Sequence, residues 1–325
     1  MPAPALIVTI DTEPDLPVRR QSTHETLRNI PQLRVLQERI PDVKLTLLVT
    51  QSVIDDPASM REIERLKRDY DCEIGAHLHP EDTPPYLDRE ARRRETSLLR
   101  LPFEVRAAKL RTLVAALEAH FPRPTSYRAG RWQHSPEDFG LLAREDFLVE
   151  SSVTPYVSWQ LEHGPDFSMH RPQPYRVDGQ LWEVPVTIEL NRGAALAGSR
   201  LLQLYLRYFS HPANNLRPPL DRLWSFARPV GPVWFRPTYT SLGALKRLGR
   251  TVLGRYERPV LNMMFHSNEL VVGGRPFIRQ PADVERIVER IVGACDFFTR
   301  ELGVASTTLS EYGQRLNRDA GPISA

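Results

Sequence analysis

Four short segments of the chain concentrate the side chains able to hold a metal or move a proton. The first is Ile7-Val8-Thr9-Ile10-Asp11-Thr12-Glu13. Side chains two apart on a strand point the same way, so Asp11 and Glu13 could project together from one strand end. The second is Glu73-Ile74-Gly75-Ala76-His77-Leu78-His79-Pro80. Imidazole is the commonest side-chain ligand for zinc, and His77 and His79, two apart after a buried run, again face one way. Glu81 continues that series and competes with the acids of the first segment. The third, Ser126-Tyr127-Arg128-Ala129-Gly130-Arg131-Trp132, ends a strand on an arginine followed by a glycine turn. A guanidinium there could hold a nearby carboxylate ionised and oriented. The fourth, Leu261-Asn262-Met263-Met264-Phe265-His266-Ser267, places a histidine just past an apolar strand, a position suited to acid–base work. Read alone, each segment has an ordinary alternative: solvated acids, a surface arginine, a satisfied core histidine.

Their common feature is position. Ala5–Ile10, Lys44–Thr50, Glu73–His77, Thr125–Arg128 and Phe147–Glu150 read as strands. Between them, 26–40, 57–70, 102–120 and a stretch from Pro136 carry apolar residues at helical spacing. Such alternation predicts a parallel sheet with right-handed crossovers, and its active site belongs at the C-terminal ends of the strands. Further on, 181–188 and 260–265 read as buried strands and 281–302 as a strongly amphipathic helix. The stretch 194–256 reads as a helical insertion, with apolar pieces near 201–208 and 220–226. No repeat or low-complexity linker divides the 325 residues, so a single catalytic domain over 1–325 is expected.

Composition narrows the partners. With 41% hydrophobic and 26% charged residues the chain belongs with globular proteins. A formal charge of +3 does not call for nucleic acid, and the basic residues lack aromatic interleaving. The arginines of 89–94 alternate with Asp88, Glu90 and Glu95, as on a solvated charged helix. Cys72 and Cys295 have no CxxC spacing and read as core thiols. No apolar run is long enough to span a membrane. With no basic, apolar leader ahead of Ala5, a cytoplasmic location is expected.

Taken in order, the segments resemble the polysaccharide deacetylase (NodB-homology) family. Its series is an acidic pair, a histidine motif, an arginine-and-aromatic turn, an acidic segment matching Val149-Glu150-Ser151-Ser152-Val153, and a hydrophobic-x-His. The wording of His77-Leu78-His79-Pro80 and of Met264-Phe265-His266-Ser267-Asn268-Glu269-Leu270 looks most like the WalW-type subgroup. The match departs from the family's adjacent Asp-Asp and His-x-x-x-His, and has Glu150 where aspartate is usual. The resemblance implies an irregular (β/α) barrel with a divalent metal, most simply Zn²⁺, with Co²⁺ or Ni²⁺ as alternatives. It implies Glu13, His77 and His79 as ligands, with Glu81 the rival for the carboxylate. It further implies Asp11 as general base tuned by Arg128, an oxyanion donor at the Ala129 or Gly130 N–H, and His266 as general acid oriented by Glu150. Trp132 would line a sugar or sit in the core. The remaining histidines, His134 among them, read as surface or structural. The implied substrate is an N-acetylated carbohydrate. Two rivals are an amidohydrolase of the same fold acting on a small non-sugar amide, and a non-catalytic sugar-binding protein on a degenerate deacetylase fold.

Overall fold

A strand buried along its whole length needs cover on both faces, as strands have in a parallel sheet backed by helices. Ala5–Thr12 is such a strand. The computed structural model describes residues 3–15, 27–86, 96–191, 201, 206 and 231–321. In chain order its elements are β1 (Ala5–Thr12), α1 (Ile30–Arg39), β2 (Leu45–Val49), α2 (Pro57–Tyr70), β3 (Glu73–Leu78), α3 (Phe103–Glu118), β4 (Ser126–Ala129), α4 (Pro136–Arg144), β5 (Val149–Glu150), β6 (Tyr175–Asp178), β7 (Leu181–Glu183), β8 (Ile188–Leu190), β9 (Pro232–Trp234), α5 (Leu242–Arg255), β10 (Val260–His266), α6 (Pro281–Asp296), β11 (Ala305–Ser306) and α7 (Leu309–Ala320). The main sheet runs β10-β1-β2-β3-β4-β5-β7-β6, and β11 also pairs with β1. All its pairings are parallel except β6 on β7.

Alternate side chains build two cores. Leu6, Val8 and Ile10 of β1, with Leu45 and Leu47 of β2 and Ile74 and Ala76 of β3, pack outward against the helices. Ala5 and Ile7 turn inward to Leu48, Val149, Trp182 and Val260, and there Leu309, Tyr312 and Leu316 of α7 close the N-terminal end of the barrel. Helix α7 is started by a reciprocal cap between Thr308 and Glu311 and seated by Ser310, whose N–H and hydroxyl both donate to Glu73. The gap between β7 and β10 is bridged by irregular chain. Asn262 donates through Nδ2 to the Val184 and Pro185 carbonyls at 3.2 Å each, and Thr187 N–H donates to Asn262 O at 3.1 Å. The result is the expected irregular (β/α) barrel. Among the described residues no helix is long and apolar enough to cross a membrane.

The sequence reading locates most elements, and α2 at its expected bounds, opened by Asp56 accepting from Ser59 N–H at 2.8 Å. The expected strand 181–188 is two short strands, because Pro185 cannot donate to a sheet and interrupts it. The helix expected over 281–302 changes to a π-helical turn at Phe297–Glu301. Within the stretch read as an insertion, β9 pairs with β8, and α5 packs on β10 and α6 as part of the outer layer. The helical pieces expected near 201–208 and 220–226 and the arginine run 89–94 lie almost wholly outside the described residues. Cys72 and Cys295 are buried and free, as expected of core thiols.

Candidate functional site

The inward alternation that fills the barrel carries polar side chains at its C-terminal end. On β1 the inward series is Ala5, Ile7, Thr9, Asp11, and on β10 it is Val260, Asn262, Met264, His266. Parallel pairing sets Asp11 level with His266 and His77 level with Arg128. The segments singled out in the sequence therefore meet. His77 Nε2 and His266 Nε2 each lie 3.8 Å from Asp11 Oδ2, and His79 Nε2 lies 3.5 Å from Glu13 Oε2.

Glu13, His77 and His79 offer ligand atoms all within 4.8 Å of one another. The two imidazole Nε2 atoms are 3.1 Å apart. Two nitrogens bound to one tetrahedral zinc at ordinary lengths would be separated by about 3.3 Å. The other ring nitrogens are anchored: His77 Nδ1 lies 2.9 Å from the Arg128 carbonyl, and His79 Nδ1 lies 3.5 Å from Glu81 Oε1. The His77 contact favours the tautomer that leaves Nε2 its lone pair, as in metal-binding histidines, while His79 Nδ1 has both Glu81 Oε1 and Arg131 Nη1 at 3.5 Å. Glu81 thus stands behind His79, in an ion pair with Arg131, and Glu13 is the carboxylate of the trio. Asn268 Nδ2 and Arg275 donate to Glu13 Oε1, leaving Oε2 on the histidine side. Burial pushes His77 down to about 4, which keeps it neutral. Burial alone would lower His79 too, but Glu81 and Glu13 hold it above the ordinary histidine value. These donors fit a divalent metal of the zinc type.

Asp11 has a different setting. Arg128, fully buried, donates from Nη1 to Asp11 Oδ1 at 2.6 Å. Its other donors go to Ser151 O at 2.8 Å, Thr9 Oγ1 at 3.0 Å and Ser151 Oγ at 3.1 Å. A buried charge is tolerable only with such complete pairing. Burial works to raise the Asp11 carboxyl, but the charges of Arg128, His77 and His266 outweigh it and hold it far below the usual carboxylate range. Asp11 is an ionised carboxylate beside the trio.

His266 presents Nε2 to Asp11 and Glu13, at 3.8 Å from each. The expected orientation by Glu150 does not hold. Val149 and Ser151 face the lumen, so Glu150 between them points to the other side. There it accepts from the Ser152 N–H and hydroxyl, beside Glu183 and 3.9 Å from His134. His134 stacks on Phe167, as a structural histidine would. The acid behind His266 is Glu269, 3.1 Å from Nδ1, fully buried and held by Arg236 and Thr238. Arg236 Nη2 itself lies 2.9 Å from His266 Nδ1. The expected oxyanion donor at Ala129 is also committed elsewhere, to Ser152 Oγ at 2.7 Å.

Above these groups lies a cleft of about 220 Å³ whose walls include Arg131, Trp132, Trp159, Glu162 and Arg275. Trp132 is both wall and core: it is 8% exposed, stacks near Trp159 and covers the Arg128 guanidinium at 5.5 Å. The turn that aims it places Arg131 and Trp132 at φ of 54° and 59°, a costly conformation for side chains of this size. Gly130 permits it, since a Cβ there would meet Leu78 O at 2.7 Å and the His79 ring at 2.9 Å.

No family model and no curated protein matches the chain. Solved structures match its shape. A candidate polysaccharide deacetylase from Mycobacterium smegmatis superposes with a TM-score of 0.57 over 99% of this chain and 93% of that one, at 17% identity. The chain has the fold of the polysaccharide deacetylases. That fold also carries sugar-transfer and glycoside-cleaving enzymes. A 4-alpha-glucanotransferase from Thermococcus litoralis matches at TM-score 0.55 and 13% identity, over 97% of this chain and 41% of that one. A candidate glycoside hydrolase/deacetylase from Parabacteroides distasonis matches at 0.55 and 12%, over 97% and 71%. Within a fold shared so widely, the side chains of the cleft must decide the chemistry.

Proposed function

We propose that the protein is a metal-dependent deacetylase of the polysaccharide deacetylase type, removing acetyl groups from an N-acetylated amino sugar or polysaccharide. One observation carries the reading: two anchored imidazoles and the Glu13 carboxylate converge on one point, and a separately ionised carboxylate and a further imidazole flank it. Glycosyl transfer has no need of an oriented histidine pair of this kind. The fold of the matching structures supports a carbohydrate substrate, as does the tryptophan-walled cleft. The segments His77–Pro80 and Met264–Leu270 support the WalW-type subgroup, and the continuous barrel supports a single catalytic domain.

Glu13, His77 and His79 would hold the ion, most simply Zn²⁺, with Co²⁺ or Ni²⁺ also compatible with this donor set. When bound, it supplies Lewis acidity toward the acetamide carbonyl and a lowered pKa for water. Asp11 takes the proton from the attacking water, and Arg128 keeps it ionised for that step. His266 Nε2 gives a proton to the departing sugar nitrogen, while Glu269 and Arg236 hold the ring at Nδ1. Trp132 and Trp159 confine the acetamide and limit water around it.

The test pairs elemental analysis of untagged protein with acetate release from N-acetylhexosamines, their oligomers, and small linear and cyclic amides. Near one equivalent of divalent metal and turnover of the sugars is expected. Turnover of the small amides alone would move the assignment to a non-sugar amidohydrolase. Saccharide binding by a chain that cannot be loaded with Zn²⁺, Co²⁺ or Ni²⁺ would mean a binding protein.

A further inference from the structure

We propose that Tyr239 and Phe277 form a second sugar-binding platform at the rim of the cleft, so that the substrate is a saccharide chain of several residues rather than a single amino sugar. The proposal rests on the deacetylase reading for the sugar that is cleaved. Tyr239 is 63% exposed and Phe277 42%, although large aromatics are usually covered. Their rings lie side by side, centroids 5.6 Å apart and planes at 56°.

Both are tied to the reaction centre. The Arg236 guanidinium lies 4.8 Å from the Tyr239 centroid, and its Nη2 is 2.9 Å from His266 Nδ1. A single guanidinium thus separates the exposed ring from the proposed general acid. Phe277 follows by two residues Arg275, which lines the cleft and binds Glu13.

The backbone that carries both rings is tied down. Around Tyr239, Thr240 N–H donates to Arg236 O at 3.1 Å, Thr240 Oγ1 to Trp234 O at 2.7 Å, and Arg290 Nη1 to Pro237 O at 2.9 Å. Around Phe277, Gly273 N–H donates to Ile278 O at 2.9 Å and Ile278 N–H to Arg275 O at 3.0 Å. An aromatic side chain on a fixed backbone has only two torsions left to order, so little entropy is lost when a ligand stacks on it. A pyranose offers the matching surface, a flat face of C–H groups drawn to the negative face of an aromatic ring. The two rings together expose on the order of 200 Å², judged from the area an aromatic side chain can bury. A stable protein interface needs about 800 Å² per partner, so the platform suits a sugar residue rather than a protein. One guanidinium away from His266, it gives a chain bound through the cleft a second point of contact.

The experiment is calorimetric titration of the metal-loaded protein with N-acetylglucosamine and its β-linked di- to pentasaccharides, alongside acetate release. Affinity should rise with chain length. Tyr239→Ala or Phe277→Ala should reduce the pentasaccharide-to-monosaccharide affinity ratio by about tenfold. Tyr239→Phe should keep it, and matched thermal midpoints exclude misfolding. Affinity independent of length, no saccharide binding at all, or a ratio unmoved in both alanine variants would overturn the platform. Length-dependent binding lost in those variants without acetate release would uphold the platform and overturn the deacetylase reading.

Discussion

At the cleft, Asp11 and Glu13 sit among cations; on β5 and β7, Glu150 and Glu183 sit against each other. Parallel pairing brings Glu150 level with Glu183, and both are fully buried. No arginine donates to either among the contacts described: Ser152 N–H serves Glu150 at 3.0 Å, and Val153 N–H serves Glu183 at 3.2 Å. Burial and the neighbouring Glu150 raise the Glu183 carboxyl well above its ordinary value, so the pair retains a proton. At the cleft the opposite holds, because Arg128 and Arg275 supply the charge that burial demands. Both acid pairs lie near strand ends of one sheet. The counter-cation, rather than the position, keeps one pair ionised and leaves the other holding a proton.

Catalytic substitutions should separate the two pairs most widely. Asp11→Asn is expected to lower turnover by about 10² to 10⁴ while metal content stays normal. Glu183→Gln should leave turnover near wild type, and equal losses in both would erase the distinction. His266→Ala should fall in the same range as Asp11→Asn, again with its metal. Glu13→Ala should instead lose the metal on dialysis while Glu81→Ala keeps it; the reverse result would make Glu81 the ligand.

Stability gives the next largest effect. Arg128→Met leaves the Asp11 charge buried without its partner and should cost about 3–5 kcal/mol in urea unfolding. A loss below about 1 kcal/mol would mean that Asp11 does not depend on this cation. For Glu183 the effect follows pH. A carboxyl raised in the folded state contributes stability that is complete below its unfolded value, near 4.5, and is lost as pH rises toward the folded value. Glu183→Gln cannot ionise, so its stability should gain on wild type above pH 4.5, by at most about 1.4 kcal/mol per pH unit. Parallel stability curves between pH 5 and 8 would show that Glu183 is not held protonated. The smallest effect concerns the thiols. Burial pushes Cys72 and Cys295 up to about 12, and iodoacetamide at pH 8 should leave both unlabelled until the chain unfolds.

Most of the cleft was legible because strand alternation has a fixed period of two. That period alone sends Asp11, His77, Arg128 and His266 into one lumen. Applied to Val149-Glu150-Ser151, it also turns Glu150 away, a constraint that the order of family motifs overrides when followed without it. Glu269 was open to sequence reasoning, three residues after His266 in a turn that brings them together. Arg236, Arg275 and Asn268 carried no such signal, since loops without a period set their approach. Helix α7 went unread although Thr308 and Glu311 mark its start and Leu309, Tyr312 and Leu316 share one face. The double strand at 181–190 was hidden by a strand-like run in which Pro185 is the one residue unable to donate to a sheet.

The pairing of β1 sets an order of events in the making of the protein. Its neighbours are β2, close in sequence, and β10 and β11, which lie near the far end of the chain. β1 therefore leaves the ribosome well ahead of the two strands that complete its pairing. At ordinary elongation rates, on the order of tens of seconds pass before residues 260–306 emerge. Through that interval Ala5–Ile10 presents an uncharged, β-branched edge with no partner on one side, the kind of edge that recruits other chains. If that edge is a hazard, yield on expression should respond to the supply of holding chaperones more than to the stability of the finished barrel.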